Sequence, residues 1–435
     1  MIQKIQKKNT AFHPRLLYAK ESGEIFDAPG LEACGMSGGH LVLLNPQDWI
    51  PLPFGSDLFL LPHRTPIGWD SHQKKFIILD DFQAVCAFVA PAYTLRATVA
   101  YQLSQKSDPL PLNAYSPVGY YHGQYFVPAL RVDPDIRQDL KYFNPNQMNQ
   151  KAAQDRHQFP NNTFLTQMIK CAFEYHCPAA RNYFHQRFEA PMPTSTGCNA
   201  QCVGCLSLQP DDLPHSPMNR LHQTPTPEEI ADIIVPHLEQ VPMAIASFGQ
   251  GCEGEPLTQF SLLKKTLQLI RTRTPQGTLH LNTNASMPEK IESLAQSGLN
   301  SIRVSLNSVR KSIYNAYYRP LNYSFEDVIR SIQVAKKHNL FVSLNYFIFP
   351  GISDQADEIQ ALLHLIEITQ VDFIQMRNLN IDPESYLNTV GKPDSPGLGI
   401  DTLFKTIHSQ FPAIRFGYFN PPKEKWGKAG ILLPA

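Results

Sequence analysis

The sequence lacks any excess of charge and any long hydrophobic run. Lys and Arg together number 38, and Asp and Glu together also number 38. A neutral chain creates no global basic field, which argues against nucleic acid or an anionic membrane surface as a partner. No uninterrupted apolar run approaches the length of a membrane span. We therefore expect no membrane association and no nucleic-acid substrate.

The start of the sequence also lacks the apolar core of a secretory signal peptide, since residues 1–8 read MIQKIQKK. Cysteine is scarce, with 8 among 435 residues, and three of the cysteines are clustered. In a chain this long, such usage favours metal binding in a reducing compartment over a disulfide framework. We therefore expect a cytoplasmic protein.

The clustered cysteines are Cys198, Cys202 and Cys205, spaced C-x3-C-x2-C. This spacing is typical of a loop wrapped around an inorganic centre. Iron–sulfur clusters normally have four thiolate ligands, so three thiolates leave one iron free to bind another molecule. A tetrahedral zinc site would need a fourth protein ligand, and His215 is the nearest candidate in sequence. Three unrelated buried cysteines are the remaining alternative.

The chain is longer than one typical domain, and its pattern changes near residue 189. Residues 1–188 contain short apolar segments broken by Pro and Gly, which predicts a β-rich N-terminal domain with a helical connector. That region carries no catalytic signature. Residues 189–385 alternate extended and helical segments, which is typical of parallel strands with covering helices. We expect residues 386–435 to supply a helix and a strand that complete or flank this second unit.

Four of the predicted strands are polar on one face only. An open sheet covered by helices on both sides would be apolar on both faces. The pattern therefore predicts a closed or half-closed barrel with a polar cavity, and a sheet with one solvated face is the alternative. We predict an α/β fold, a partial (β/α)6-type TIM barrel, with its reactive groups at the carboxyl ends of the strands, where the cysteine loop also lies. The polar face comprises His280, Asn282, Asn284, Arg303, Ser305, Asn307, Ser343, Asn345, Gln375 and Arg377.

Helix boundaries are also marked in this region. Thr226 and Ser286 each precede a Pro at the first helical position and a Glu at the third residue after them, which predicts two capping boxes. Gly298 stands where a helix-ending glycine is expected.

The cysteine motif and the segment SFGQGCEGEPL at residues 247–257 resemble the radical S-adenosylmethionine (SAM) superfamily. The resemblance covers roughly residues 189–380. It implies that Cys198, Cys202 and Cys205 hold a [4Fe–4S] cluster, and that SAM chelates the fourth iron through its amino and carboxylate groups.

Within this resemblance, Gly254 and Glu255 look like the end of the family's glycine–glutamate motif, which meets the methionine amino group. Other positions match the ends of the family's third and fourth strands or lie on the polar inner face. The residues that we expect to bind SAM are Gly254, Glu255, Asn282, Asn284, Ser305, Asn307, Gln375 and Arg377. Arg303 and Arg377 are also suited to a carboxylate through the planar fork of the guanidinium.

The resemblance implies an enzyme that reductively cleaves SAM to a 5′-deoxyadenosyl radical, which removes hydrogen from a small-molecule, protein or peptide substrate. A reductant such as a flavodoxin or ferredoxin is the implied partner. No catalytic residue that acts on the substrate is identified. The alternative is a non-catalytic iron–sulfur or zinc-binding α/β protein.

Two features depart from the family pattern. Gly204 stands where the family often has an aromatic residue beside the adenine, so the adenine contact must come from elsewhere. Residues 381–435 contain no cysteine, unlike the extensions of many peptide-modifying members. We expect the other five cysteines to lie too far apart to bind a second cluster: Cys34, Cys86, Cys171, Cys177 and Cys252.

Overall fold

The computed structural model describes residues 12–104, 107–210 and 215–432. Residues 1–8, which carry no signal-peptide pattern, lie outside the described residues. In the described part, no helix is long and apolar enough to cross a membrane.

The first part of the chain forms antiparallel β-sheet, because its short apolar segments are separated by turns. In the described residues, twelve of its strands belong to one sheet and three to a smaller one. The strands are β1 (Arg15–Ala19), β2 (Ile25–Ala33), β3 (Gly35–Ser37), β4 (His40–Val42), β5 (Trp49–Pro51), β6 (Asp57–Leu61), β7 (Arg64–Asp70), β8 (Lys75–Ile78), β9 (Gln83–Phe88), β10 (Tyr93–Leu95), β11 (Thr98–Val99), β12 (Tyr101–Leu103), β13 (Ser116–Pro117), β14 (Gly119–Tyr121) and β15 (Gln124–Arg131). The β-rich N-terminal region is therefore confirmed.

Three helices connect this region to the rest of the chain: α1 (Pro145–Gln158), α2 (Thr163–Phe173) and α3 (Pro178–Phe184). Asn144 caps α1, where its side chain accepts a hydrogen bond from the N–H of Asn146. Asn162 caps α2 and also donates from Nδ2 to the carbonyl oxygen of Glu229 at 2.9 Å. The connector is thus fixed to the second part of the chain.

The second part is a parallel sheet whose strands follow one another in chain order. Its strands are β16 (Glu189–Met192), β17 (Ile245–Phe248), β18 (Thr278–Thr283), β19 (Ser301–Leu306), β20 (Phe341–Ile348), β21 (Phe373–Asn378) and β22 (Arg415–Gly417). Its helices are α4 (Pro227–Gln240), α5 (Phe260–Arg273), α6 (Pro288–Gln296), α7 (Lys311–Tyr318), α8 (Phe325–Lys337), α9 (Ala356–Thr369), α10 (Pro383–Val390) and α11 (Ile400–Gln410). The predicted partial (β/α)6-type barrel is confirmed, and β22 adds a further parallel strand.

One of the two predicted capping boxes is confirmed and the other is wrong. Thr226 accepts from the N–H of Glu229 and donates its own N–H to the Glu229 carboxylate at 2.8 Å. Before α6, the capping position belongs to Met287, which makes no side-chain cap. The hydroxyl of Ser286 instead accepts from Asn199 Nδ2 at 2.8 Å. Gly298 ends α6 in the left-handed region, with φ of +101°, as predicted.

The segment after β22 crosses the amino-terminal end of the barrel. The N–H of Lys423 donates to Oγ1 of Thr278, the first residue of β18, at 2.9 Å. Trp426 stacks on Phe341, the first residue of β20, with ring centroids 4.8 Å apart. Asp133 of the N-terminal region accepts from the N–H of Tyr418 in the same segment at 2.9 Å. Residues 418–426 therefore form a floor under the barrel, and its carboxyl end carries the loops.

The N-terminal region also packs against the side of the barrel at β21. Thr94 Oγ1 donates to the carbonyl oxygen of Met376 at 2.5 Å. The N–H of Leu95 donates to Oδ1 of Asn378 at 2.9 Å, and Asn378 Nδ2 donates to the carbonyl oxygen of Tyr93 at 2.9 Å. These hydrogen bonds hold β21 against the N-terminal region.

Candidate active site

The cysteine loop follows β16, at the carboxyl end of the first barrel strand. Backbone hydrogen bonds tie it to the end of α7, because the N–H of Gln201 donates to the carbonyl oxygen of Tyr318 and that of Val203 to Tyr317, both at 3.0 Å. Cys198, the first thiol of the motif, is partly exposed, as are the other two. The loop therefore presents its three thiols at the end of the barrel where reactive groups gather.

The start of this loop is organised by the buried carboxylate of Glu253. One of its oxygens accepts from the N–H of Thr194 at 2.6 Å and of Ser195 at 2.8 Å. The other accepts from the N–H of Gly249 and of Gln250, both at 2.8 Å. Burial raises the pKa of Glu253 to about 7, and the four backbone N–H groups counteract that rise. One side chain thus joins the cysteine loop to the turn after β17.

Gly254 brings the backbones of these two loops into direct contact. Its N–H donates to the carbonyl oxygen of Ser195 at 2.8 Å, and the next N–H, of Glu255, donates to Gly197 at 2.9 Å. A Cβ atom added at Gly254 would lie 1.8 Å from the carbonyl oxygen of Gly197. This close approach requires glycine.

The surroundings of Cys198 and Cys202 favour the neutral form of these two thiols. Burial raises the pKa of Cys198, and it raises the pKa of Cys202 well above the usual value. The guanidinium of Arg220 opposes both rises, and its Nη2 lies 3.4 Å from the sulfur of Cys205. The guanidinium of Arg220 therefore lies where it can stabilise the negative charge of a thiolate.

The chemistry of three clustered thiols is compatible with an iron–sulfur cluster. In a [4Fe–4S] cluster each thiolate binds a different iron, so the sulfurs need not converge on one point. Among residues 12–104, 107–210 and 215–432, no group of three or more Cys, His, Asp or Glu side chains converges to hold one metal ion. His215, the candidate zinc ligand, is exposed. Neither observation supplies a fourth protein ligand for a zinc ion among the described residues.

Glu255 links the glycine-rich turn to the end of β18. Its carboxylate accepts from the hydroxyl of Thr283 at 2.5 Å and from the N–H of Asn284 at 2.8 Å. Burial raises the pKa of Glu255 to about 7. Asn284 Nδ2 in turn donates to Oδ1 of Asn199, inside the cysteine motif, at 2.9 Å. Two predicted SAM-binding residues, Glu255 and Asn284, therefore lie together beside the cysteine loop.

The other predicted residues lie along the inner face of the barrel. Asn282 donates to the carbonyl oxygen of Phe248 at 2.8 Å, below the end of β18. Asn307 donates to the hydroxyl of Tyr386 at 3.1 Å, and its Oδ1 is buried with no hydrogen-bond partner in the described structure. Ser305 is partly exposed. Such unpartnered polar atoms are expected where a polar cofactor binds.

Gln375 and Arg377 lie on the opposite side of the barrel from the glycine-rich turn. Gln375 accepts from Arg303 Nη1 at 3.0 Å and donates to Oδ1 of Asn420 at 2.9 Å. The guanidinium carbon of Arg377 is 4.9 Å from the centroid of the Tyr418 ring. The predicted SAM-binding set is therefore divided between the two sides of the inner face.

The space beside Gly204 is filled by an aromatic residue from another part of the chain. A Cβ atom added at Gly204 would lie 2.6 Å from the hydroxyl oxygen of Tyr317, at the end of α7. The sequence did not indicate that Tyr317 fills the space beside Gly204. It also did not indicate the roles of Glu253 and Arg220. The second acidic residue in the glycine-rich segment was the available signal for Glu253. For Arg220 the sequence offers none.

The prediction that the remaining cysteines lie far apart is wrong for one pair. The sulfur atoms of Cys171, on α2, and Cys252, in the glycine-rich turn, are 3.5 Å apart. Both side chains are buried. In the described part of the chain they belong to no group of three potential ligands, and the absence of a second cluster stays a prediction.

Comparison with known families agrees with this geometry, since residues 192–366 match the model of the Radical SAM superfamily. The matched segment is less than half of the chain. It begins at the last residue of β16 and ends within α9, so it includes the three thiols, the glycine-rich turn and the inner face of β17 to β20. The cofactors predicted from the sequence, a [4Fe–4S] cluster and SAM, are those of this superfamily, and that prediction is confirmed.

Two curated proteins are similar to the chain in sequence. The FeMo cofactor biosynthesis protein NifB of Klebsiella pneumoniae is 24% identical over 192 residues, covering 41% of this chain and 41% of that protein. The protein of the same name from Chlorobaculum tepidum is 24% identical over 258 residues, covering 56% and 54%. The chain therefore spans about half the length of the curated relatives that it matches.

Among solved structures, Streptococcus suis SuiB bound to S-adenosylmethionine is similar to the chain, with a TM-score of 0.40 and 12% identity. The match covers 55% of this chain and 54% of SuiB.

Proposed function

We propose that this protein is a radical SAM enzyme that reductively cleaves SAM at a [4Fe–4S] cluster held by Cys198, Cys202 and Cys205. The observation that carries the proposal is the three-thiol loop at the carboxyl end of the first barrel strand, within a segment that matches the superfamily. Superfamily membership supports SAM-dependent radical chemistry in general. When bound, the cluster would supply the one electron needed to break a carbon–sulfur bond of SAM, which would give methionine and a carbon radical able to remove hydrogen from a substrate.

The residues of the chain would bind and orient the cofactors. Glu253 and Gly254 fix the thiol loop against the turn after β17, and Arg220 offsets thiolate charge. The proposed SAM contacts are the backbone at Gly254 and Glu255 with the polar side chains Asn282, Asn284, Ser305 and Asn307. Gln375 and Arg377, the other two residues that the sequence assigns to SAM, lie across the inner face, and we propose that they face the substrate instead. In place of the aromatic residue missing at Gly204, Tyr317 is proposed to lie beside the adenine.

The barrel would also exclude bulk water from the reaction. Residues 418–426 close its amino-terminal end, and the N-terminal region covers β21. An enclosed site protects a reactive radical from side reactions. The required electron would come from a separate reductant such as a flavodoxin or ferredoxin, and the substrate would be a small molecule, protein or peptide.

The decisive experiment is the cysteine dependence of SAM cleavage. Anaerobically reconstituted protein should contain about four irons per chain and, with dithionite, release 5′-deoxyadenosine from SAM. Cys202→Ala should lose the cluster and the product. Cys171→Ala is the matched control, because it removes a buried thiol outside the motif and should retain the iron. A stoichiometric zinc that depends on His215, or iron that survives in Cys202→Ala, would contradict the proposal.

A second prediction concerns the inner and outer faces of β19. Ser305 is partly exposed on the inner face, whereas Val304 is fully buried under the helices. Ser305→Val removes a polar partner at similar volume, so SAM affinity should fall by about 1–3 kcal/mol while stability is kept. Val304→Ser should instead lower the free energy of unfolding by about 1–3 kcal/mol and leave SAM affinity unchanged.

Thermal unfolding and SAM titration of both cluster-loaded variants check this pair. The opposite result, with Ser305→Val unfolding the protein and Val304→Ser weakening only SAM binding, would mean that the two faces are assigned the wrong way round.

A further inference from the structure

Two arginines converge inside the barrel, and neither forms an ion pair with another described residue. Arg303 lies on β19 and Arg377 on β21, and both project to the inner face. Arg303 Nη1 donates to Gln375 Oε1, on the strand that carries Arg377, at 3.0 Å. The Arg377 guanidinium lies 4.9 Å from the ring centroid of Tyr418, which belongs to the barrel floor. The two positive groups therefore share one region above the floor.

The charge of this region is not balanced by the described residues. No ion pair within 4.0 Å involves Arg303 or Arg377 in the described part of the chain, and Nε of Arg303 is buried without an acceptor. Glu189 is the acidic group nearby, but its Oε1 already accepts from Ser247 and Asn420 at 2.5 and 2.8 Å. Two guanidinium groups thus face one carboxylate that is already hydrogen-bonded.

The electrostatic cost of this arrangement is visible at Arg303. Burial, and then the positive charge of Arg377, lowers the pKa of Arg303 to about 9, while Glu189 and Tyr418 oppose the decrease. Like charges held together in a protein interior destabilise it unless an opposite charge is supplied. An arrangement of this kind is expected where the compensating charge comes from a ligand.

Part of this region is also accessible to solvent. β19 is the central strand of the barrel sheet, and Ile302 and Val304 are fully buried on its outer face. Arg303 and Ser305, on the inner face, are nevertheless partly exposed. Since helices cover the outer face, the accessible space must lie inside the barrel.

We propose that Arg303 and Arg377 bind an anionic group of the substrate, a carboxylate or a phosphate. The inference rests on the proposed function, because it assigns the substrate class of the same cavity. The planar, multiply donating guanidinium suits both groups, and Arg303 Nε supplies a donor that no described residue satisfies. The substrate is therefore an acid, with its anionic end toward the barrel floor.

The carboxylate of SAM is the other anion that could bind these arginines. The distance of the arginines from the cysteine loop distinguishes it from an anionic group of the substrate. The cysteine loop and Glu255 contact the end of β18, at Thr283 and Asn284. Arg303 pairs in register with Asn282, two residues below Asn284, a step of roughly 7 Å along a parallel strand. Its guanidinium then contacts Gln375 on β21, away from the cysteine loop.

The test uses succinate and inorganic phosphate as anionic probes and succinamide as the neutral control, with thermal unfolding of the full chain as the readout. Succinate or phosphate should raise the melting temperature of the wild type, and succinamide should not. In Arg303→Met and in Arg377→Met the apparent affinity for the anion should fall at least tenfold. Arg330→Met is the matched control, because Arg330 is 65% exposed and should leave the response unchanged.

Two further measurements separate this inference from its alternatives. Without an anion, Arg303→Met should be at least as stable as the wild type, because it removes an unbalanced charge from the interior. If this variant then fails to respond to the anion, misfolding is not the cause. SAM affinity of the cluster-loaded variants should change less than twofold. A tenfold loss of SAM affinity, or no anion response that depends on the arginines, overturns the inference. Failure of the proposed function would instead appear as absent iron or absent 5′-deoxyadenosine in the wild type.

Discussion

Glu253→Gln is expected to lower the free energy of unfolding by about 3 kcal/mol and to prevent cluster incorporation. The carboxylate of Glu253 accepts four backbone N–H bonds, two from the start of the cysteine loop and two from the turn after β17. An amide replaces one acceptor oxygen with an NH2 donor, so two of these N–H groups lose their partner. Each buried donor left unsatisfied costs about 1–3 kcal/mol.

The measurements for Glu253→Gln are denaturant unfolding of the metal-free protein and iron content after reconstitution. Glu239→Gln makes the same chemical change at an exposed position and should alter neither value. If Glu253→Gln kept both wild-type stability and a full complement of iron, the carboxylate would not be what organises the loop.

Gly254→Ala is expected to have an effect of similar size through sterics alone. The added methyl group would lie 1.8 Å from the carbonyl oxygen of Gly197, a backbone atom that cannot rotate away. The two loops must then separate, which breaks the backbone hydrogen bonds from Gly254 to Ser195 and from Glu255 to Gly197. We expect a loss of roughly 3 kcal/mol in stability, together with loss of iron.

The matched control for Gly254→Ala lies on the other side of the same contact. An added Cβ at Gly197 would meet no heavy atom within 4 Å, and its φ lies outside the left-handed region. Gly197→Ala should therefore change the free energy of unfolding by less than about 1 kcal/mol. Equal effects of the two alanines would show that the close approach does not limit the fold of the loop.

The barrel could be predicted because its strands obey a local rule. A period of two separates the inner and outer faces, so Ile302 and Val304 can be assigned to the helix side from the sequence alone. The thiol spacing is local too. Thr226 was recognised as a helix cap because its partner, Glu229, is three residues away.

The features that could not be predicted depend on contacts between distant parts of the chain. Glu253 binds Ser195 across 58 residues, and Cys171 meets Cys252 across 81. Ser286 has the local pattern of a cap, but Asn199 in the cysteine loop occupies its hydroxyl instead. In each case a tertiary partner, which no periodicity encodes, decides what the side chain does.

The floor formed by residues 418–426 follows every strand of the barrel in the chain, so it can form only after those strands have been synthesised. Domains form as the chain is synthesised from its amino end, so the strands from β16 to β21 can associate before the floor exists. Until residues 418–426 emerge, the amino-terminal end of the partial barrel is uncovered, and solvent can reach the region of Arg303 and Arg377 from that end. The amino-terminal end of the barrel is closed only when Trp426 stacks on Phe341. A chain truncated before residue 418 would therefore keep every strand of the barrel and the thiol loop but would lack the floor.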